Sequence, residues 1–431
     1  MRFRLPYALL WTALLPLALL RLGWRGRRQP AYLRDLGERL GHYTARPDSR
    51  PVIWLHAVSV GETRAAQPLL QALRARWPEA RIVLTAMTPT GRETGRALYG
   101  DDEQVTQAYL PYDHPWLVAR FLQHFTPCLG VVMETELWPG LLDACARQSV
   151  PVVLANARLS ARSARRYARF PALTRRTLGK LSAIACQTTE DADRLQALGA
   201  EHLSVTGNIK FDNTPPASQR ELARQFRAWI GQRRCVLLAS SREGEEALLV
   251  DALRTQARDD VLWVVVPRHP QRFDDVAQLC SAAGLTLQRR SEAQALHADT
   301  QVWLGDSMGE MFAYYAAAEV ALVGGSWKPL GGQNLIESCA VGTPVIVGPH
   351  TFNFAQVAEQ AIACGAAKRA DDLAAGMALA LHWLEDEPAR AEAAHAATRF
   401  AQQHAGATQR TLALIEETLN ETGRGSKALE G

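Results

Sequence analysis

Glu62 stands where an apolar run, VIWLHAVSV, gives way to a helical pattern, ETRAAQPLL. A carboxylate there has two readings. It complements the positive end of a helix dipole, an effect of roughly 0.3–1 kcal/mol, or it acts as a base in the crevice beyond a strand. Glu134 has the same setting after the apolar LGVVM, where it either stabilises charge or orients a neighbouring group, and Glu136 two residues on is its substitute. Lys210, in TGNIKFD, is unusual in a chain with five lysines (Lys180, Lys210, Lys328, Lys368, Lys427) that otherwise uses arginine. A compact ammonium there suits a phosphate or carboxylate partner; the alternative is a solvated linker residue.

A second group of residues suits an anionic ligand. PRHPQR (267–272), GDSMGEM (305–311) and VGGSWKPLGGQNLIES (323–338) each follow an apolar β-rich run. Arg268 offers a fork of donors matched to phosphate or carboxylate. The glycines of the third stretch permit close backbone approach, and Asn334 can cap the helix through LIESCA, making a phosphate site. Glu337, one turn on, holds sugar or ribose hydroxyls or faces solvent. Alone, each glycine reads as a turn and Arg268 as a surface ion pair. Their recurrence at successive strand ends points to one crevice and a nucleotide-like donor. Neither GxxxxGK[ST] nor a strand-linked GxGxxG occurs, which argues against a P-loop NTPase and the usual dinucleotide site. No acidic pair of the DxD kind ends a strand, so no metal is expected.

The elements that must position these residues alternate in type. β-rich runs at 51–60, 80–88, 104–112, 128–135, 150–158, 181–188 and 203–208 are separated mostly by amphipathic segments. The order predicts a parallel sheet covered on both faces. Two prolines and turn residues in KFDNTPPASQRELARQ mark a domain boundary. The scheme then repeats with runs at 234–241, 261–268, 285–290, 301–306, 320–326 and 343–349. The expected fold is α/β: two doubly wound, Rossmann-like parallel-sheet domains facing a cleft, since open α/β sheets bind ligands beyond their strands' carboxyl ends. The expected division is an anchor at 1–48, a first domain at 49–213 and a second at 214–431. The helical stretch 369–420 closes the second domain or crosses back to the first.

Composition bounds the partners. A chain of 431 residues with 47% hydrophobic and 21% charged residues is globular and long enough for two cores. Its net charge of +4 is local, because the first 34 residues carry seven arginines (Arg2, Arg4, Arg21, Arg25, Arg27, Arg28, Arg34) and no acid. The remainder is about −3, so there is no general nucleic-acid footprint. Seven scattered cysteines without a CxxC pair argue against a disulfide framework or zinc site, and for a reducing compartment. Residues 5–20 carry no charge, and the apolar stretch is just short of the roughly 20 residues that span a bilayer. RLGWRGRRQ follows instead of a signal cleavage site, so a retained anchor is expected, spanning or interfacial. Its arginines keep that side cytoplasmic and attract anionic lipids.

LHAVSVGET, METELWPGLL, NARLSARS, TGNIKFD, PRHPQR, GDSMGEM and GGQNLIE, in this order along nearly the whole chain, resemble the 3-deoxy-D-manno-octulosonic acid (Kdo) transferase family of lipopolysaccharide synthesis. The resemblance implies GT-B glycosyltransferase architecture and transfer of Kdo from CMP-Kdo to the lipid A precursor lipid IV(A), at the cytoplasmic side of the inner membrane. It implies that Glu62 is the general base of an inverting displacement, with Glu134 and Lys210 stabilising the transition state. It also implies that Arg268, His269, Gly309, Glu310, Met311, Asn334, Leu335, Ile336 and Glu337 contact CMP-Kdo, with no cofactor and no metal. The runner-up is a GT-B lipid glycosyltransferase using a nucleoside-diphosphate sugar. A noncatalytic sugar-nucleotide binding or scaffold protein would have no use for Glu62.

Overall fold

The protein, described by a computed structural model, is seen at residues 4–44, 49–256, 258–423 and 429. Arg2 and Lys427 lie outside the described residues. Two seven-stranded sheets organise the chain, one in each of two compact units. The first holds β1 (Val52–His56), β2 (Arg81–Ala86), β3 (Val105–Tyr109), β4 (Leu129–Met133), β5 (Val152–Ala157), β6 (Ala183–Cys186) and β7 (Leu203–Val205). Its order is β3-β2-β1-β4-β5-β6-β7, with every pair parallel. The second holds β8 (Arg234–Ser241), β9 (Val261–Pro267), β10 (Leu287–Arg289), β11 (Val302–Leu304), β12 (Val320–Val323), β13 (Val345–Val347) and β14 (Ala367–Arg369). Its order is β10-β11-β9-β8-β12-β13-β14, again all parallel.

Both orders reverse in mid-sheet, between β1 and β4 and between β8 and β12. Such a switch point opens a crevice beyond the carboxyl ends of the flanking strands. The central strands are apolar throughout because helices cover both faces: every residue of β1 and β4 is buried. Gly130 in β4 is required by one of these contacts, since a Cβ there would sit 2.8 Å from the Trp54 ring of β1. The edge strand β14 has no counterpart among the expected runs. It buries only Ala367 and exposes Lys368 and Arg369, so it carries no apolar pattern.

The expected assignment of 214–431 to one domain is corrected at its far end. The second unit is Asn213–His404, and Ala405 onward groups with the first. The helix Ala407–Thr422 buries Ala407, Leu412, Ile415 and Leu419 in one core with Ile53, Leu55 and Leu69. Asp212 fixes its start, accepting from the Gly406 and Thr408 amides at 2.5 Å each. The amino-terminal segment groups with the first unit rather than standing apart. Its helix α1 (Arg4–Arg28) runs unbroken through Pro16, with Leu9, Leu10, Leu17, Leu20 and Trp24 all exposed.

Candidate active site

Glu62 follows β1 and Glu134 follows β4, so the two carboxylates border the switch point of the first sheet. β1 leads through Ala57–Ser59 into the short helix Val60–Ala65, with Glu62 in its first turn. The half-buried Glu62 carboxylate turns back onto its own entry loop, where Oε2 accepts from the Val58 amide at 2.5 Å. Burial, then the charge of Glu134, push its pKa up to about 7; the Val58 amide and the Lys210 ammonium oppose them. The helix start alone therefore does not keep Glu62 fully ionised at neutral pH, as its position in the sequence suggests. Six helical residues and one amide are outweighed by burial beside a second carboxylate. A base with a pKa near 7 is matched to proton transfer at neutral pH.

Glu134 has φ +58°, a left-handed conformation uncommon for a side chain of this kind. The turn brings Oε1 to 2.9 Å from Lys210 Nζ. Lys210 is held from both sides. A register irregularity in β5 places the buried Asn156 at φ +55°, and its Oδ1 accepts from the Ile209 amide at 3.1 Å. Asp212, two residues beyond Lys210, is locked by the helix start it caps. Glu136 accepts from Trp138 Nε1 at 2.7 Å and adds a smaller upward push to the Glu62 pKa. His56, the nearest imidazole in sequence, is fully buried against Thr85, and burial drives its pKa down to about 3. It is no rival base at neutral pH.

In the second unit, Arg268 and His269 follow β9, and the Arg268 amide donates to Ser241 O at 2.9 Å, tying this loop to the end of β8. Partial burial, then the nearby Arg242 and Arg268 charges, lower the His269 pKa. His269 thus lies in the field of the Arg242 and Arg268 cations. Glu310 accepts both Arg290 Nε and Nη2 at 3.1 Å, together with Ser307 Oγ at 2.5 Å. Gly309, at φ +84°, lets the loop turn into the helix Met311–Ala317, and Gln219 clamps the Gly309 carbonyl at 2.9 Å. Asn334 bridges Glu337 Oε1 and the Ile336 amide at 3.1 Å each, at the start of the five-residue helix Ile336–Ala340. Leu335 and Ile336 are buried to 1% exposure, so their side chains pack in the core.

A family model for 3-deoxy-D-manno-octulosonic-acid transferase matches residues 34–213, and one for glycosyl transferases group 1 matches residues 247–400. A 3-deoxy-D-manno-octulosonic acid transferase of Bordetella pertussis is 46% identical over 96% of this chain and 99% of its own length. The chain belongs to the Kdo transferase family. The Haemophilus influenzae member is 36% identical over 97% of this chain and 99% of its own length. Solved structures at lower identity give the fold alone. A UDP-GlcNAc 2-epimerase from Neisseria meningitidis has a TM-score of 0.58 at 15% identity, covering 85% of this chain and 100% of its own. A glycosyltransferase from Rickettsia africae has 0.58 at 12%, covering 86% and 99%.

As a Kdo transferase, the protein has site-building residues that its motifs do not single out. Arg242 and Glu245 follow β8, at the second switch point, in SSREGEE. Glu245 has 0% exposure, and its carboxylate gathers the amides of Arg242 at 2.8 Å, Gly325 at 2.7 Å and Trp327 at 3.0 Å. It joins the loop after β8 to the glycine-led loop after β12, where Gly325 takes φ +71°. Its separation of about eighty residues from the Gly325 and Trp327 amides left no local signal for that link. Glu245→Gln turns one acceptor oxygen into a donor facing amides. The expected cost is about 1–3 kcal/mol of stability, with a raised KM for the sugar nucleotide. A thermal melt and donor titration check this, and an unchanged donor KM in a folded variant removes the link.

Proposed function

We propose that this Kdo transferase takes Kdo from CMP-Kdo, bound by the second unit, and places it on the lipid A precursor lipid IV(A), bound by the first. The observation that carries the reading is Glu62, with its pKa near 7 and an adjoining Glu134–Lys210 pair. Glu62 takes the proton of the acceptor's sugar hydroxyl as that oxygen attacks the anomeric carbon. The bond to the CMP phosphate breaks, configuration inverts, and CMP leaves with the bonding pair. Lys210 and Glu134 hold the field in which this charge moves. Arg268, His269, Gly309–Met311 and Asn334–Glu337 form the donor set, to which Arg242 adds a cation. Burial and the neighbouring arginines shift His269 toward its neutral form, so the phosphate charge falls to Arg242 and Arg268.

Incubating the purified protein with CMP-Kdo and lipid IV(A), then weighing the product, tests this directly. Each transfer adds one Kdo mass, and a UDP- or GDP-sugar that is used instead sinks the donor assignment.

The acceptor is membrane-borne, and α1 supplies the corresponding surface. Among the described residues this is the one helix long and apolar enough to cross a bilayer. Yet Tyr7 donates to Asp113, Thr12 lies 3.3 Å from His114 Nε2, and Trp11 packs on Tyr112 at 6.3 Å, so its first half lies along the domain. We read it as an interfacial helix on the cytoplasmic face of the inner membrane, with Arg27 toward anionic headgroups. Leu10→Glu/Leu17→Glu is expected to abolish co-sedimentation with phosphatidylglycerol vesicles. Undiminished binding rules the helix out as the contact.

A further inference from the structure

Beneath α1 lies a cavity of about 480 Å³, within the size range of small-ligand sites. One face of the helix forms its roof through Trp11, Leu14, Ala18 and Arg21, residues three or four apart. Its floor includes Met87, Thr88 and Tyr112, and its far end is met by Arg25 and Arg39. The lining is apolar apart from this cluster of arginines.

Arg39 is the unusual member. Its side chain is 2% exposed, and only Nη1 has an acceptor, the Met87 carbonyl at 3.1 Å. Nε and Nη2 are buried without an acceptor in good hydrogen-bond geometry, their one polar neighbour being the Tyr109 side chain, a neutral group. The adjacent carboxylate of Glu38 does not neutralise it. Glu38 is taken by both terminal nitrogens of Arg92 at 2.6 and 3.0 Å and by the Tyr109 amide at 2.8 Å. The Tyr109 ring, 3.8 Å from the Arg39 guanidinium, compensates only part of the charge. A buried cation with two idle donors is costly unless an anion completes it. Arg21 and Arg25, one turn apart in the lining, add positive charge with no carboxylate paired to them among the described residues.

The cavity floor is also linked to the proposed catalytic base through one loop. The Met87 and Thr88 amides donate to the Val58 carbonyl at 3.2 and 3.3 Å, and the Val58 amide is the one that holds Glu62. A ligand against Met87 and Thr88 is therefore one hydrogen-bonded loop away from the carboxylate.

We propose that this cavity is an acceptor subsite that takes one phosphate and the adjoining acyl chain of the lipid, with Arg39 as the buried phosphate ligand. The apolar roof and floor receive the chain, and Arg21 and Arg25 draw the phosphate in. The proposal rests on the reading of the first unit as the acceptor-binding unit.

Its test uses the full chain in detergent micelles, with phosphorylated lipid IV(A) and the same lipid stripped of phosphate. Arg39→Met is expected to raise the KM for the phosphorylated acceptor about tenfold or more, to leave the KM for CMP-Kdo in place, and to erase the preference for phosphate. Arg21→Gln/Arg25→Gln changes exposed positions, so its fold is not at risk, and it is expected to shift the same KM in the same direction. A folded Arg39→Met that keeps the phosphate preference overturns the proposal, as does equal loss on both acceptors. If Arg39→Met does not fold, an unchanged acceptor KM in the double variant overturns it. Weakened phosphatidylglycerol-vesicle binding with an unchanged acceptor KM assigns the cavity to a bilayer lipid and overturns it too. Acceptor binding without donor, read by tryptophan fluorescence, separates the two levels. Arg39-dependent binding in a protein that transfers no Kdo keeps the subsite and removes the functional reading beneath it.

Discussion

Glu62→Gln is expected to lower kcat by about 10²–10⁴-fold at pH 8 while CMP-Kdo binding survives, because it removes proton acceptance without emptying the donor site. Two further readouts separate a base from a structural carboxylate. In the parent enzyme kcat/KM is expected to rise tenfold per pH unit and to level off near pH 7, where Glu62 loses its proton. That limb disappears in the glutamine variant. Stability moves the other way. The folded-state pKa lies above that of an unfolded glutamate, so ionising Glu62 costs the native state stability progressively from about pH 4.5 to 7. The glutamine variant cannot ionise and is expected to melt higher than the parent at pH 8. Turnover near the parent value, or an acid limb that persists in the variant, removes Glu62 from the base role.

Lys210→Met is the second large effect. The ammonium lies 2.9 Å from Glu134 and pulls the Glu62 pKa down against the push of two carboxylates. Without it, the expected loss in kcat is about 10²–10³-fold at pH 7, the scale of one preorganised stabilising group. The acid limb also moves above pH 7, because Glu62 then faces an unbalanced Glu134. The complementary change has the opposite sign. Glu134→Gln removes the charge that raises Glu62, so its acid limb moves below pH 7 even as activity falls. If both variants shift the limb in the same direction, the coupling is not electrostatic, and the pair acts by shape. Steady-state profiles from pH 5.5 to 9 decide between these outcomes.

The fold was largely legible because its signals are local. Apolar β-rich runs of six to ten residues, separated mostly by amphipathic segments, suffice for two parallel sheets, and thirteen of the fourteen strands lie on such runs. The exception, β14, is a charged three-residue edge with no apolar pattern to read. The helix Ala407–Thr422 reads as amphipathic anywhere, and what assigns it to the first unit is Asp212, some 195 positions earlier.

The site divides along the same line. Sequence alone put carboxylates after two apolar runs, a rare lysine in TGNIKFD and arginine and glycines at strand ends, since residue type and strand-end position are properties of a short window. It did not fix the protonation of Glu62. A helix start argues for an ionised carboxylate, and the tertiary structure overrules it by packing Glu134 and Glu136 nearby and burying the group, which brings the pKa to about 7. Nor did it reveal that Lys210 pairs with Glu134, that Glu245 ties two loops together, or that Arg39 is left with idle donors under α1. Each of these depends on distance through space and on the dielectric of a buried position. Sequence determined which groups are available to do chemistry; only the tertiary packing decided what charge each of them carries and which partner it meets.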